Sequence, residues 1–212
     1  MKTVVFDLDG TLVESHRGIV ASINHVRRHL YGLPPLEESI VVHALNEPGV
    51  HLPKALYGDE DYEDEAKELF EKEYAVQCLE HAKPYDGVVS LLERLKAKDC
   101  DLFVATNAPT ATSVDILSHN NIEHFFTDII GADRVKRPKP SAEMLRLVLR
   151  TCRYDECLMI GDSAKDMEAA IAANVQGVFA KWGYGILPAE MSRSCTEVSN
   201  PEEVYQIICE DV

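Results

Sequence analysis

The sequence predicts an α/β protein, a doubly wound parallel sheet with an all-helical domain inserted after its first strand. Three observations carry this. From Gly87 onward, short apolar runs alternate with amphipathic segments of helical period, the pattern of crossover units in a parallel sheet. Residues 14–84 interrupt that alternation with a wholly helical stretch. The runs that read as strands also end in polar residues, as they do where a ligand binds beyond their carboxyl ends.

The elements follow in order. Residues 3–6 make a short buried strand. From Ser15 to Tyr31 the apolar positions Ile19, Ile23, Val26 and Leu30 share one helix face, and Gly32, Pro34 and Pro35 stop it. Residues 37–45 and 51–57 form two short helices. Between them Asn46-Glu47-Pro48-Gly49 is either a loop that closes on substrate or only a turn. Asp61–His81 is a longer helix whose acidic start suits the positive end of the dipole, with Tyr62, Ala66, Leu69, Phe70 and Tyr74 as its inner stripe. Beyond Pro84 come a helix at 87–98, a strand at 102–106, a helix at 110–119 and a strand at 127–131. A helix at 141–152, a strand at 157–161, a helix at 164–173, a strand at 177–181 and a helix at 201–209 complete the pattern. The expected division is a core of 1–13 and 85–212 and a helical domain of 14–84.

Composition narrows the function. Hydrophobic residues are 46% of 212, enough for a sizeable core. The formal charge is -15, from 36 acidic and 21 basic residues, which argues against nucleic acid or an anionic membrane as a general partner. A small anionic substrate is still compatible, because local cations or a metal can outweigh the global field. No secretory signal fits the N-terminus, and no apolar run approaches the ~20 residues of a membrane span. The six cysteines form no C-x-x-C pair and read as reduced thiols, so the expected compartment is the cytoplasm. The chain is expected to be a monomer or a homodimer.

The first strand ends in two aspartates, Asp7 and Asp9, within "VVFDLDGTLVES". Close carboxylates repel and are costly to desolvate, so something there must favour concentrated negative charge. Two further strands end in Thr106-Asn107 and in Gly161-Asp162, with Asp166 four residues on. If these strands are neighbours, the carboxylates converge on a hard divalent cation with oxygen ligands, and Mg²⁺ is the expected ion. Lys136, Arg137 and Lys139 stand just before a helix, where a lysine would hold a phosphate group and balance the nucleophile's charge. Gly10 and Asn107 would offer backbone N–H groups to phosphate oxygens. Together these parts make a phosphoryl-transfer apparatus.

In that order, D-x-D-G-T at Asp7–Thr11, Thr106 after an apolar strand, Lys139-Pro140, and G-D-x-x-x-D at Gly161–Asp166, the chain resembles the haloacid dehalogenase superfamily of phosphatases over nearly its whole length. The helical insert is similar to the cap of the branch holding phosphoglycolate phosphatase, pyrophosphatase and beta-phosphoglucomutase. "TNAPT" and "KWGYG" resemble the phosphoglycolate phosphatase group most. The resemblance implies a Rossmann-like core and Asp7 as nucleophile, forming an aspartyl-phosphate. It implies Asp9 as the acid that protonates the leaving oxygen and then activates water. Asp7, the backbone carbonyl of Asp9 and Asp162 would hold Mg²⁺, Asp166 would orient that shell, and Thr106 and Asn107 would bind the phosphoryl group.

The lysine position has two candidates, since Arg137 is also followed by proline. Lys139 is preferred because it puts Leu145, Val148, Leu149 and Cys152 on one helix face, with a short turn near 153–156. The expected activity is Mg²⁺-dependent hydrolysis of a small phosphomonoester such as 2-phosphoglycolate, with pyrophosphate as the nearest rival. A sugar-phosphate mutase and a non-catalytic binding protein of the same fold are the alternatives from other classes. Outside the motifs, Lys136 with Arg137 reads as a solvated basic pair, the acidic run at 59–73 as a solvated helix face, and His16 as a hinge residue. His25 and His29 have the spacing of a metal pair but read as a partly exposed helix face. Trp182–Gly185 either borders the site or packs as a loop.

Overall fold

The computed structural model describes residues 1–47 and 49–209. In chain order, β1 (Thr3–Phe6) and β2 (Val13–Glu14) precede four helices, α1 (His16–His29), α2 (Glu38–Asn46), α3 (Leu52–Tyr57) and α4 (Asp64–His81). Next come β3 (Lys83–Pro84), α5 (Val88–Ala97), β4 (Asp101–Ala105), α6 (Thr110–His119) and β5 (Asp128–Ile130). The chain continues through α7 (Glu143–Thr151), β6 (Cys157–Gly161), α8 (Ala164–Ala173), β7 (Gln176–Ala180), β8 (Thr196–Val198) and α9 (Pro201–Cys209). Two compact units result, Met1–Glu14 with the chain from Lys83 onward, and Ser15–Ala82.

The first unit is an α/β layer structure on a parallel sheet of order β5-β4-β1-β6-β7-β8. β1 lies between β4 and β6, with Thr3 opposite Asp101 and Cys157, and Phe6 opposite Val104 and Ile160. Every residue of β1 is buried, as expected for a strand covered on both faces. On one face Val5, Phe103, Ala105 and Met159 pack against Met144, Leu145 and Val148 of α7 and Ala169 and Ala170 of α8. The sheet grows from β1 through β4 to β5 on one side. It then crosses back and grows through β6 to β7 and β8 on the other. The reversal falls at β1, the position where open sheets of this kind leave a crevice beyond their strand ends.

Several elements depart from the sequence expectation. The stripe expected on α7 was Leu145, Val148, Leu149 and Cys152, but Met144, Leu145 and Val148 are the buried set and Leu149 is exposed. With Met144 turned to the sheet, the inward face sits one residue earlier and Leu149 rotates out to solvent. The long helix of the second unit begins at Asp64, not Asp61, and buries Ala66, Tyr74 and Cys78, while Leu69 and Phe70 are only half-buried. The close approach of α1 and α4 explains this: a Cβ on Gly18 would stand 2.8 Å from Cys78 Sγ, so the contact is made backbone to side chain at that level. The ribbon of β2 with β3 and the edge strand β8 were not expected, because two or three residues carry no readable period.

In the second unit α1 is the organising helix. Arg27, itself buried, donates from Nε to Pro34 O at 2.9 Å and from its terminal nitrogen to Leu56 O. Asn24 donates to Leu36 O at 3.0 Å and accepts Leu36 N–H at 2.8 Å, which fixes the connection after α1. His16 pairs with Glu38 at 2.9 Å. The loop expected at Asn46–Gly49 contains Pro48, which lies outside the described residues. Among the described residues no helix is long and apolar enough to cross a membrane. All six cysteines are free, and Cys78, Cys100 and Cys157 are buried.

Candidate active site

The site is built where β1, β4 and β6 end. Asp7 extends β1 by one rung, its N–H donating to Ile160 O at 2.9 Å. Its Oδ1 accepts Leu8 N–H at 2.7 Å and lies 2.7 Å from Lys139 Nζ. Lys139 also reaches Asp166 Oδ1 at 2.5 Å, and is only 4% exposed. Asp166 Oδ2 in turn accepts the N–H and Oγ–H of Ser163, at 3.0 and 2.6 Å, at the start of α8. A buried ammonium is thus bracketed by two buried carboxylates, each fixed by further donors. Arg137, the rival candidate, bonds Glu143 Oε1 at 2.7 Å, and its side chain is 75% exposed. Lys139 is therefore the cation brought to the carboxylates.

Asp162 follows β6 and is held from two directions. Its Oδ2 accepts the backbone N–H groups of Tyr184 and Gly185 at 3.1 and 3.0 Å, and Thr11 Oγ1 lies 3.3 Å from Oδ1. Trp182 Nε1 donates to Thr11 O at 3.0 Å, so the 182–185 loop borders the site. The fit needs glycine at several places, Gly10 and Gly185 among them. Gly10 has φ +82°, and a Cβ there would fall 2.2 Å from Asp162 Oδ2. A Cβ on Gly185 would fall 1.7 Å from Asp162 O.

Oxygen atoms of Asp7, Asp162 and Asp166 lie within 4.8 Å of one another. Among the described residues Asp9 stands outside that set, half-buried and bridged to Val13. Thr106 is buried and its Oγ1 accepts Ala108 N–H at 3.1 Å, which leaves the hydroxyl hydrogen to donate. One contact differs from the expectation, and a second adds to it. Gly10 N–H donates to Val13 O at 2.9 Å, so it closes a turn and is not available to a phosphate oxygen. The Asn107 side chain donates to Lys139 O and accepts Lys139 N–H, both at 2.9 Å, and so holds the lysine's backbone in place. Sequence reasoning missed that clamp, the Ser163 donors and the Tyr184 and Gly185 amides. Only the "KWGYG" stretch had signalled the last.

Burial raises the Asp7 carboxyl from 3.8 to about 7, with Asp166 adding to the shift and Lys139 opposing it. Burial, then Asp7 and Asp166, also raise Asp162, against the Gly185 and Tyr184 amides. Burial alone would lower Lys139, but the adjacent Asp166 and Asp7 more than reverse it and its pKa is raised. Ionised, three carboxylates and one ammonium leave a net charge of -2, from -3 and +1. An all-oxygen donor set with that excess matches a hard divalent cation.

A carboxyl whose pKa is raised holds its proton when folded but loses it above about pH 4 when unfolded. Its stability contribution therefore declines as pH rises, for Asp7 from 3.8 through about 7. In metal-free protein Asp162→Asn, which keeps the acceptor for the two amides, should raise the melting temperature at pH 8 and much less at pH 5. Thermal melts at the two pH values check this, and an equal effect at both would contradict it.

The profile of the haloacid dehalogenase-like hydrolases matches residues 4–180. The tyrosine-protein kinase PtkA of Mycobacterium tuberculosis is 32% identical over 184 residues, 86% of this chain and 62% of that protein, so the chain spans less than two thirds of that relative's length. A phosphoglycolate phosphatase of Chromobacterium violaceum is 30% identical over 220 residues, covering 98% of this chain and 96% of that one. The crystal structure of a predicted phosphoglycolate phosphatase from Haemophilus somnus 129pt matches with a TM-score of 0.81 at 25% identity, covering 98% of both chains.

Proposed function

The chain belongs to the haloacid dehalogenase-like hydrolases, and we propose that it is a Mg²⁺-dependent phosphatase that hydrolyses a small phosphomonoester, with 2-phosphoglycolate as the first candidate. The observation that carries this is Lys139 bracketed by Asp7 and Asp166 beside Asp162. In this reading residues 1–13 and 85–212 form the catalytic core and 14–84 a helical cap domain. The free cysteines suit the reducing cytoplasm.

Leu8 N–H and Lys139 both sit on Asp7 Oδ1, so Oδ2 is the attacking atom. It forms a bond to phosphorus as the ester's P–O bond breaks, and Asp9 gives its proton to the departing oxygen. Asp9, now a carboxylate, takes a proton from water. The water oxygen attacks phosphorus, the aspartyl-phosphate bond breaks, and inorganic phosphate leaves. Thr106 Oγ–H, Lys139 and the Asn107 N–H bind phosphoryl oxygens. Asp7, the Asp9 carbonyl and Asp162 would hold Mg²⁺, which offsets negative charge on the phosphoryl group, while Asp166 fixes Lys139.

Purified protein assayed on a panel of phosphate esters, including 2-phosphoglycolate and a hexose 1-phosphate, should release inorganic phosphate with Mg²⁺ and lose that activity with chelator. No release from any ester overturns the reading. Isomerised hexose phosphate without release would assign a mutase instead.

A further inference from the structure

Beyond β7 the 182–185 loop has no helix or strand of its own. Its backbone nevertheless packs on both strand ends that carry the acidic cluster. A Cβ on Gly183 would stand 2.3 Å from Gly10 O, on the turn after β1, and 2.4 Å from Asp162 Cβ, after β6. A polar link lies on either side of that contact. The Trp182 indole donates from Nε1 to Thr11 O at 3.0 Å. The Tyr184 and Gly185 N–H groups donate to Asp162 Oδ2 at 3.1 and 3.0 Å.

The two links do different things. The amides occupy Oδ2, which leaves Oδ1, 3.3 Å from the Thr11 hydroxyl, with lone-pair capacity for an ion. Carboxylates that hold a metal are themselves oriented by such outer hydrogen bonds. Main-chain donors cannot fix their own direction, however. Where they point depends on the path of the loop, and glycines at 183 and 185 give that path little stiffness. The indole supplies an anchor. It is rigid and half-buried, and it bonds a carbonyl of a turn that is itself closed by Thr11 N–H to Leu8 O at 3.3 Å. Its single donor is spent on that carbonyl and not on substrate.

We propose that Trp182 is a positioning residue of the metal centre: its bond to Thr11 O sets the loop so that the Tyr184 and Gly185 amides hold Asp162 in the orientation that binds Mg²⁺. This rests on the Mg²⁺-dependent reading above. Linkage makes the effect reciprocal. If the anchored loop favours the ion, the bound ion steadies the loop.

Calorimetric titration of the full chain with Mg²⁺ tests it. The native protein should bind the ion. Trp182→Phe keeps an aromatic ring but lacks the N–H, and should bind roughly 10–100-fold more weakly, as loss of an outer-shell partner does. Trp182 is the single tryptophan, so its indole N–H gives one NMR signal. Mg²⁺ should slow exchange of that hydrogen in the native protein. A ring that serves packing alone gives neither result. Native affinity in Trp182→Phe, or indole exchange unaffected by Mg²⁺, overturns the proposal and leaves the Mg²⁺ reading standing. No Mg²⁺ binding by the native protein overturns both.

Discussion

Asp7→Asn abolishes phosphate release, by on the order of 10⁴ to 10⁶-fold, the range seen when one member of a nucleophilic unit is removed. The fold survives, because the asparagine Oδ1 can accept from both Leu8 N–H and Lys139 Nζ, as the aspartate does at 2.7 Å to each. The substitution also removes one of three buried like charges, so the metal-free protein does not melt earlier. Initial rates and thermal melts on the same preparation separate the two effects. Hydrolysis at the native rate would remove Asp7 as nucleophile.

Lys139→Ala comes second in expected effect and acts on both rate and stability. It leaves Asp7 and Asp166 facing each other without their shared cation. Breaking a buried pair in this way costs roughly 3–5 kcal/mol. For a domain of this size that is on the order of 10 °C in melting temperature. Loss of the positive charge beside the phosphoryl group should lower kcat by about 10² to 10³-fold, as removal of one preorganised stabilising group does. Arg137→Ala provides the contrast. It breaks only an exposed pair with Glu143, and should leave rate and melting temperature near native. A larger loss in the arginine variant would return the role to Arg137.

Much of this was legible in the sequence for a definite reason. Asp7, Asp9 and Asp162 follow apolar runs that can only be buried strands, so their placement at strand ends is a local property. The strands at 3–6 and 157–161 appear with those bounds. What the sequence hid depends on partners far along the chain. The Asn107 side chain reads as one more polar residue after a strand. Only the fold brings it to the Lys139 backbone, 32 positions away. The Tyr184 and Gly185 donors that fix Asp162 are main-chain groups, which no residue letter announces. Asn24 with Leu36 repeats the Asn107 arrangement in the helical unit and was equally unreadable.

The expectation for Gly10 failed for a related reason. Its motif position suggested a backbone donor, whereas the structure uses its positive φ and missing side chain to bring the turn against Asp162. The misplaced stripe on α7 shows a smaller limit. A nine-residue helix has too few turns for periodicity to fix which way it faces, and Met144 decides it.

The short ribbon of β2 and β3 pairs Val13 with Pro84 and Glu14 with Lys83. The two points at which the chain departs into the helical unit and comes back, Glu14 and Lys83, therefore face each other across one rung of the ladder. An insertion mounted this way does not interrupt the parallel sheet, whatever its length. Evolution can lengthen, shrink or replace the segment between Glu14 and Lys83 as a cassette, while the carboxylate geometry at the strand ends is inherited unchanged.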